Sequence, residues 1–417
     1  MPHAIALESG AKSVFSSVPR VPADAIFALT ARYVRDPFPR KVNLGQGTYR
    51  DEHGQPWVLP SVRAARKRLD EKGLNQEYLP ILGLAGFRRS VAQAVLGKTF
   101  FQEQESKVAT CQSVSGTGAL HLAGLLLARC YPVRPKVYIP EPTWSNHTQV
   151  FSSIGFECRP FSYYNEDKKR LDFDSYLNAL RTAAPGSVFV LHACAHNPTG
   201  FDPTEDQWRE IGRLMKEREL FPVFDAAYLG LNSGCLDQDA FAIRHFIQEL
   251  QLEAIVCVSF SKNMGLYGER VGCVLACAST EDAAARSLSM LENLQRVEVS
   301  NPPAYGAKIA QLILSDEELF STWKEDLVTM SSRIRSMRWA LYDQLNAHAT
   351  PGIWKHIVRQ SGMFSFLGLS PQMVQDLEEN YHIYLAENSR ISMAGLNESN
   401  VGYVAGAIAA CVRRVLQ

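Results

Sequence analysis

Charge of one sign, membrane-length apolar runs and paired cysteines are all missing from this sequence. Lysine plus arginine equals aspartate plus glutamate at 43 each, so no global field draws nucleic acid or an anionic membrane. No apolar run approaches the roughly 20 residues of a membrane helix. The nine cysteines form no CxxC pair and none sits with histidines at zinc-ligand spacing, so they read as reduced core thiols. Before Arg20 there is one lysine, one glutamate and no arginine, unlike a transit or secretory signal, and a cytoplasmic location is expected. No GxGxxG opens a βαβ unit and no GxxxxGK[ST] occurs, which argues against a dinucleotide-dependent dehydrogenase and a nucleoside triphosphate site. What is present, 417 residues with 46% hydrophobic and 21% charged content, suits a soluble enzyme of two domains acting on small molecules.

Apolar segments alternate with helical patterns through the middle of the chain. Strands are expected at 136–139, 187–191, 221–224, 254–258 and 272–276, which implies βαβ units and a mainly parallel sheet. Thr204 to Gln207 matches a capping box opening a helix over 208–219. From Ser315 to His348 a helical pattern runs without glycine or proline, and such a long element often links two domains. Beyond Pro351 come a strand at 362–367, a helix opened by Ser370-Pro371, a strand at 382–385 and a last helix from Ser399. The expected organisation is an arm at 1–21, a small domain from 22–54 and 331–417, and a large domain at 55–330.

Several segments carry chemistry. In Ser259-Phe260-Ser261-Lys262, one amine stands among hydroxyls with Arg270 close behind, and the preceding apolar run places Lys262 at a strand's carboxyl end. A neighbouring cation and burial both push a lysine toward the free amine that imine formation needs. Ser115-Gly116-Thr117-Gly118 precedes a helical run, so its N–H groups and hydroxyls suit an anion, and with Ser259, Ser261 and Arg270 a phosphate monoester. Asp225 and Tyr228 follow another strand, where the carboxylate either caps a turn or pairs with a buried cation such as a protonated pyridine nitrogen. Asn197, before a proline, can donate to a phenolate-like oxygen, and Trp144 either packs in a turn or covers a planar ring. His192 and His196 are four apart, but their segment is not helical and a metal site is not expected.

The strings SGTGAL, PTW-x-NH, HACAHNPTG, FD-x-AY, SFSKNMGLYxERVG, SNPP and RISM-x-GLN, in this order, resemble those of the eukaryotic-type aspartate aminotransferases. Those are pyridoxal 5'-phosphate enzymes of fold type I, and the similarity runs from about Val18 to the C-terminus. The resemblance implies a homodimer with shared active sites and transamination between aspartate or glutamate and oxaloacetate or 2-oxoglutarate. It implies Lys262 as the imine lysine and proton shuttle, Asp225 on the pyridine nitrogen with His147 behind it, and Asn197 with Tyr228 at the ring oxygen. Trp144 would cover the ring, and Ser115, Gly116, Thr117, Ser259 and Arg270 would hold the phosphate, joined by Tyr78 from the neighbouring subunit. Arg390 would grip the α-carboxylate and Arg296, again from the partner, the distal one.

Departures from the family pattern bear on the substrate. Gln46 and Thr48 flank Gly47 where aliphatic or small residues are usual near the substrate, so Gln46 and Gly47 join Trp144 and Asn197 as expected substrate contacts. Gly268 replaces the usual asparagine, and Ala386 to Ser389 replace the usual residues before Arg390. A pyridoxal-phosphate enzyme specialised for another polar or acidic amino acid, or for lyase or decarboxylase chemistry, stays open. A non-catalytic scaffold is disfavoured by the presence of every cofactor contact.

Overall fold

The computed structural model describes residues 13–416, so the first twelve residues of the expected arm lie outside the described residues. Seven strands make the central sheet: β1 (Val108–Val114), β2 (Val137–Glu141), β3 (Cys158–Ser162), β4 (Val188–His192), β5 (Phe221–Ala226), β6 (Ala254–Ser259) and β7 (Val271–Cys277). They lie in the order β1-β7-β6-β5-β4-β2-β3. Only β7 is reversed, antiparallel to both β1 and β6, while the other pairings are parallel. The five apolar runs all became strands. Strands β1 and β3 carry no such run: β1 buries Thr110, Gln112 and Ser113, and β3 lies at the sheet edge with Arg159 and Pro160 exposed.

Side chains alternate across each strand, and the sheet therefore feeds two cores. Val188 and Val190 pack on one face with Ile255, Cys257 and Val274, while Phe189 and Leu191 pack on the other with Phe224, Val256 and Leu275. Helices cover both faces, as parallel sheets require. The capping box forms as expected, with Thr204 and Gln207 bonding reciprocally at the start of α2 (Glu205–Glu217), which follows α1 (Ser115–Cys130).

The long helix expected over 315–348 forms as α3 (Glu317–Ala347), preceded by a separate helix, Tyr305–Ser315. Asp316 divides them by accepting the Leu319 N–H at 3.0 Å, a cap that a search for glycine and proline alone overlooks. Helix α3 then runs unbroken through residue 330, with Trp323 buried and its indole N–H on the Asn263 carbonyl at 2.7 Å. That bond braces the loop just after Lys262. Both ends of the described chain meet beside the sheet: Val42–Asn43 pairs with Ile383–Tyr384, and Phe364–Phe366 pairs with Arg390–Ser392.

Where β7 leaves the lysine loop, the chain passes close to the start of α1. A Cβ on Gly272 would sit 2.5 Å from the Ser115 carbonyl carbon and 2.7 Å from the Val258 oxygen, both fixed backbone. Gly272→Ala should therefore cost about 1–3 kcal/mol by overpacking, read as a lower urea midpoint. Gly268→Ala, with nothing within 4 Å of its added methyl, should stay within about 0.5 kcal/mol, so equal midpoints for the two variants would refute the contact's importance.

Candidate active site

The carboxyl ends of β1, β2, β4, β5 and β6 converge on one cavity, the place where open α/β sheets bind ligands. Ser115, Gly116 and Thr117 follow β1, Trp144 follows β2, Asn197 follows β4, and Asp225 with Tyr228 closes β5. Ser259, Lys262 and Arg270 line it from the loop between β6 and β7.

At one end the cavity is a cradle of donors. The Ser115 hydroxyl lies 3.0 Å from that of Ser259 and 2.9 Å from that of Ser261, and the Arg270 guanidinium donates to Ser261 at 3.4 Å. Among the described residues no carboxylate bonds any of them. Ser115 and Arg270 both hold left-handed backbone, φ 59° and 55°, at about 1–3 kcal/mol each, where an ordinary turn would leave no strain. The strain turns β1 directly into α1, so the first N–H groups of that helix point into the cradle beside the three hydroxyls. Such a set fits a phosphate dianion.

At the other end stands Asp225, whose solvation the surrounding chain replaces. The His147 Nε2–H donates to its Oδ2 at 3.0 Å, Thr143 Oγ1 lies 2.8 Å from His147 Nδ1, and the same oxygen lies 3.0 Å from His192 Nε2. The Asn197 N–H, 3.5 Å from His192 Nδ1, ends the chain. Thr143 has one proton, so a single direction satisfies every link: Asn197 N–H to His192, His192 to Thr143, Thr143 to His147, His147 to Asp225. Burial holds His192 well below the usual histidine range, in keeping with the neutral ring this direction demands. Burial alone would raise Asp225, but the His147 bond and nearby positive charges, Lys262 among them, hold it below the usual carboxylate range. Its other oxygen is left for a cationic N–H from the cavity.

Lys262 sits between these ends with its ammonium nitrogen 5.5 Å from the Tyr228 ring centre. No carboxylate lies within ion-pair distance of it among the described residues. Burial depresses its pKa, Asp225 partly opposes that, and Arg270 and Arg390 push further down. Burial, then the Asp225 charge, raises the Tyr228 phenol, which stays protonated and able to donate.

Arg390 enters from Arg390–Ser392, buried, with one nitrogen on the Gly45 carbonyl at 2.8 Å and another on Asn197 Oδ1 at 3.3 Å. Its guanidinium lies 4.2 Å from the centre of the Phe364 ring. Its Nε is buried without a partner, and no carboxylate pairs with it among the described residues. A substrate carboxylate would complete it. Since Arg390 holds the amide oxygen of Asn197, the amide NH2 is the end left for the cavity.

Gly47 borders the Phe364 ring, with its Cβ position 2.9 Å from the ring edge. Of the expected residues, Gly47, Arg390, Tyr78, Arg296 and Gln46 do not line this cavity, although Arg390 bonds Asn197 at its wall. Tyr78 and Arg296 share a separate open hollow, tied together where the Asn301 amide donates to the Leu79 carbonyl at 2.6 Å. Gln46 lines another cavity together with Thr48 and not the Lys262 cavity, so its expected place beside the substrate is corrected. Sequence reasoning missed Thr143 and the relay role of His192, although Thr143 next to Trp144 and His192 at a strand's end were both readable polar positions in apolar company.

A lysine amine, a phosphate cradle and a shielded carboxylate at one sheet edge define an α/β enzyme for chemistry at amino groups. Residues 39–408 match the family model described as aminotransferase class I and II, and the chain belongs to that family. The cytoplasmic aspartate aminotransferase of Saccharomyces cerevisiae is 46% identical over 409 residues, covering 96% of this chain and 97% of that protein. The cytoplasmic aspartate aminotransferase of Gallus gallus is 44% identical over 411 residues, covering 97% and 100%. Among solved structures, an aromatic-amino-acid aminotransferase from Burkholderia pseudomallei covalently bound to pyridoxal phosphate superposes with TM-score 0.93 at 40% identity, covering 96% of this chain and 100% of that one. The fold is the type I architecture of these enzymes.

The electrostatics of Lys262 can be tested without any cofactor. In the cofactor-free protein, Arg390→Ala removes a cation that depresses the amine, so the pH at which an amine-specific reagent labels Lys262 should rise. Asp225→Asn should move it the opposite way, and peptide mapping that finds no shift, or the same shift, for both variants contradicts this account.

Proposed function

We propose that this chain is a pyridoxal 5'-phosphate-dependent aminotransferase working between aspartate or glutamate and oxaloacetate or 2-oxoglutarate. The observation that carries the reading is the unpaired, pKa-depressed Lys262 amine on the same cavity as the donor cradle and Asp225. Bound there, pyridoxal phosphate supplies a reactive carbonyl and a protonated ring that draws electrons from the substrate's α-carbon.

The protein's own groups do the rest. Ser115, Gly116, Thr117, Ser259 and Arg270 hold the phosphate dianion, and Asp225 accepts the ring N–H and keeps it protonated. Asn197 and Tyr228 would donate to the ring oxygen, and Trp144 would cover the ring face and exclude water. Arg390 orients the α-carboxylate as a fork, which aims the α-hydrogen at Lys262. Lys262 Nζ then takes that proton from one carbon and returns it to another, a transfer that needs the free amine its surroundings favour. The large and small domains drawn at 55–330 and at 22–54 with 331–417 divide these duties, cofactor to the first and substrate carboxylate to the second.

We read the enzyme as a homodimer with composite sites, because Tyr78 is 89% exposed and sits with Arg296 and the exposed Val299 in a hollow separate from its own chain's cavity. On this reading Tyr78 reaches the partner's phosphate and Arg296 grips the distal carboxylate of the partner's substrate. We place the enzyme in the cytoplasm, as its yeast and chicken relatives are named.

Lys262→Ala should lose transamination of aspartate with 2-oxoglutarate by at least roughly 10²–10⁴-fold, the usual worth of the proton transfer alone. Near-normal turnover in that variant would dismiss the assignment. Shared sites are checked by mixing Lys262→Ala chains with Arg296→Ala chains. Each heterodimer should regain one site free of both lesions, recovering up to half the activity of one intact dimer per pair, whereas purified heterodimers as inactive as their parents would show each site to be built from one chain.

A further inference from the structure

A second cavity, of about 610 Å³, is bordered by the segment from Arg40 to Gln55 on one side and Gly395 to Tyr403 on the other. Small-molecule sites commonly fall in this size range. Its lining contains three permanent cations, Arg40, Lys41 and Arg50, together with His53, and no aspartate or glutamate. Lys41 is already committed, with its ammonium on the carbonyls of Tyr33 at 2.8 Å and Asp36 at 2.6 Å. The two arginines are not. Arg40 makes only a stacking contact, 4.9 Å over the Tyr403 ring, and neither guanidinium has a carboxylate within 4.0 Å among the described residues.

The cavity is held open by fixed structure. Arg333 on α3 donates to the carbonyls of Asp51 at 3.0 Å and Leu396 at 2.7 Å, joining the two rims. Asn397 and Asn400 bond each other's backbone at 2.9 Å, so the 397–400 turn is set without any ligand. Gln46 and Thr48, the two polar departures from the family's pattern, both line this cavity. They add neutral donors to a wall that already carries two unmatched guanidiniums.

We propose that this cavity binds a small polyvalent oxyanion between Arg40 and Arg50, with Gln46 and Thr48 as neutral donors. The site lies apart from the catalytic cavity and goes beyond the transaminase reading. Carboxylate and phosphate groups share the chemistry two planar guanidiniums recognise. An occupant would border the 43–46 turn, whose Gly45 carbonyl holds Arg390.

The test uses the cofactor-loaded enzyme, so that its phosphate cradle is filled, titrated calorimetrically at low salt with inorganic pyrophosphate and, separately, with citrate. Saturable binding of at least one probe is expected, and which one binds assigns the phosphate or the carboxylate source. Arg40→Ala and Arg50→Ala should each weaken it about tenfold, the loss of one charge-assisted contact. Gln46→Val should weaken it less, and Arg66→Ala, on another surface, should leave it unchanged. Circular dichroism matching the wild type confirms that each variant is folded. Absence of saturable binding for both probes overturns the proposal. So does binding that survives both arginine changes, as binding in the Lys262 cavity would, or that falls equally in Arg66→Ala.

Discussion

A carboxylate kept charged in the interior is the constraint around which this protein is built. Asp225 loses most of its hydration at the end of β5, and an isolated buried carboxylate would take up a proton rather than remain ionised. The relay through His147, Thr143 and His192 replaces that water with oriented donors, and its far end is the backbone of Asn197, another residue of the same cavity. The chain of bonds thus fixes Asp225 and Asn197 relative to each other. Removing any member leaves a buried nitrogen or oxygen unsatisfied, at a typical cost of about 1–3 kcal/mol.

Two further charged side chains, Asp202 and Arg338, do for the loop what the relay does for the strand. Asp202 accepts the N–H groups of Ala195 at 2.7 Å and His196 at 2.8 Å and the Ser361 hydroxyl at 3.1 Å. Arg338, pulled down to about 9 by burial, donates to the carbonyls of Ile357, Ser361, Gly362 and Phe364. The two side chains therefore bind the Asn197 loop to the segment leading into Phe364–Phe366, the strand paired with Arg390. Cofactor-side and carboxylate-side groups keep their spacing because both are fastened to one buried network.

Much of this was legible in the sequence because the interior strands are short, apolar and punctuated. The runs at 187–191 and 254–258 could bury both faces only in a covered parallel sheet, and residues just past their ends then had to face a common edge. Lys262, Asp225 and Asn197 were found by that logic, whereas Ser115 was found from the glycine-rich start of a helical run. Strand β1 escaped it because Gln112 and Ser113 are polar yet buried, and Gln112 is satisfied by distant groups: it donates to the Pro303 carbonyl at 2.7 Å and accepts the Leu84 N–H at 3.1 Å. No local pattern announces partners so far along the chain. The direction of Gln46 escaped for a different reason. Residues 44–48 belong to no strand, so no alternation of faces was there to show which way residue 46 points.

The order in which the chain leaves the ribosome follows from where Arg390 sits. Every strand of the central sheet, and with it the cradle, Asp225 and Lys262, lies before residue 278. Gly45, by contrast, must wait at the beginning of the chain for Arg390 near its end, and Val42–Asn43 for Ile383–Tyr384. A growing chain thus carries every residue that lines the Lys262 cavity long before it carries Arg390, whose bond to Asn197 is the last contact of the site to become available.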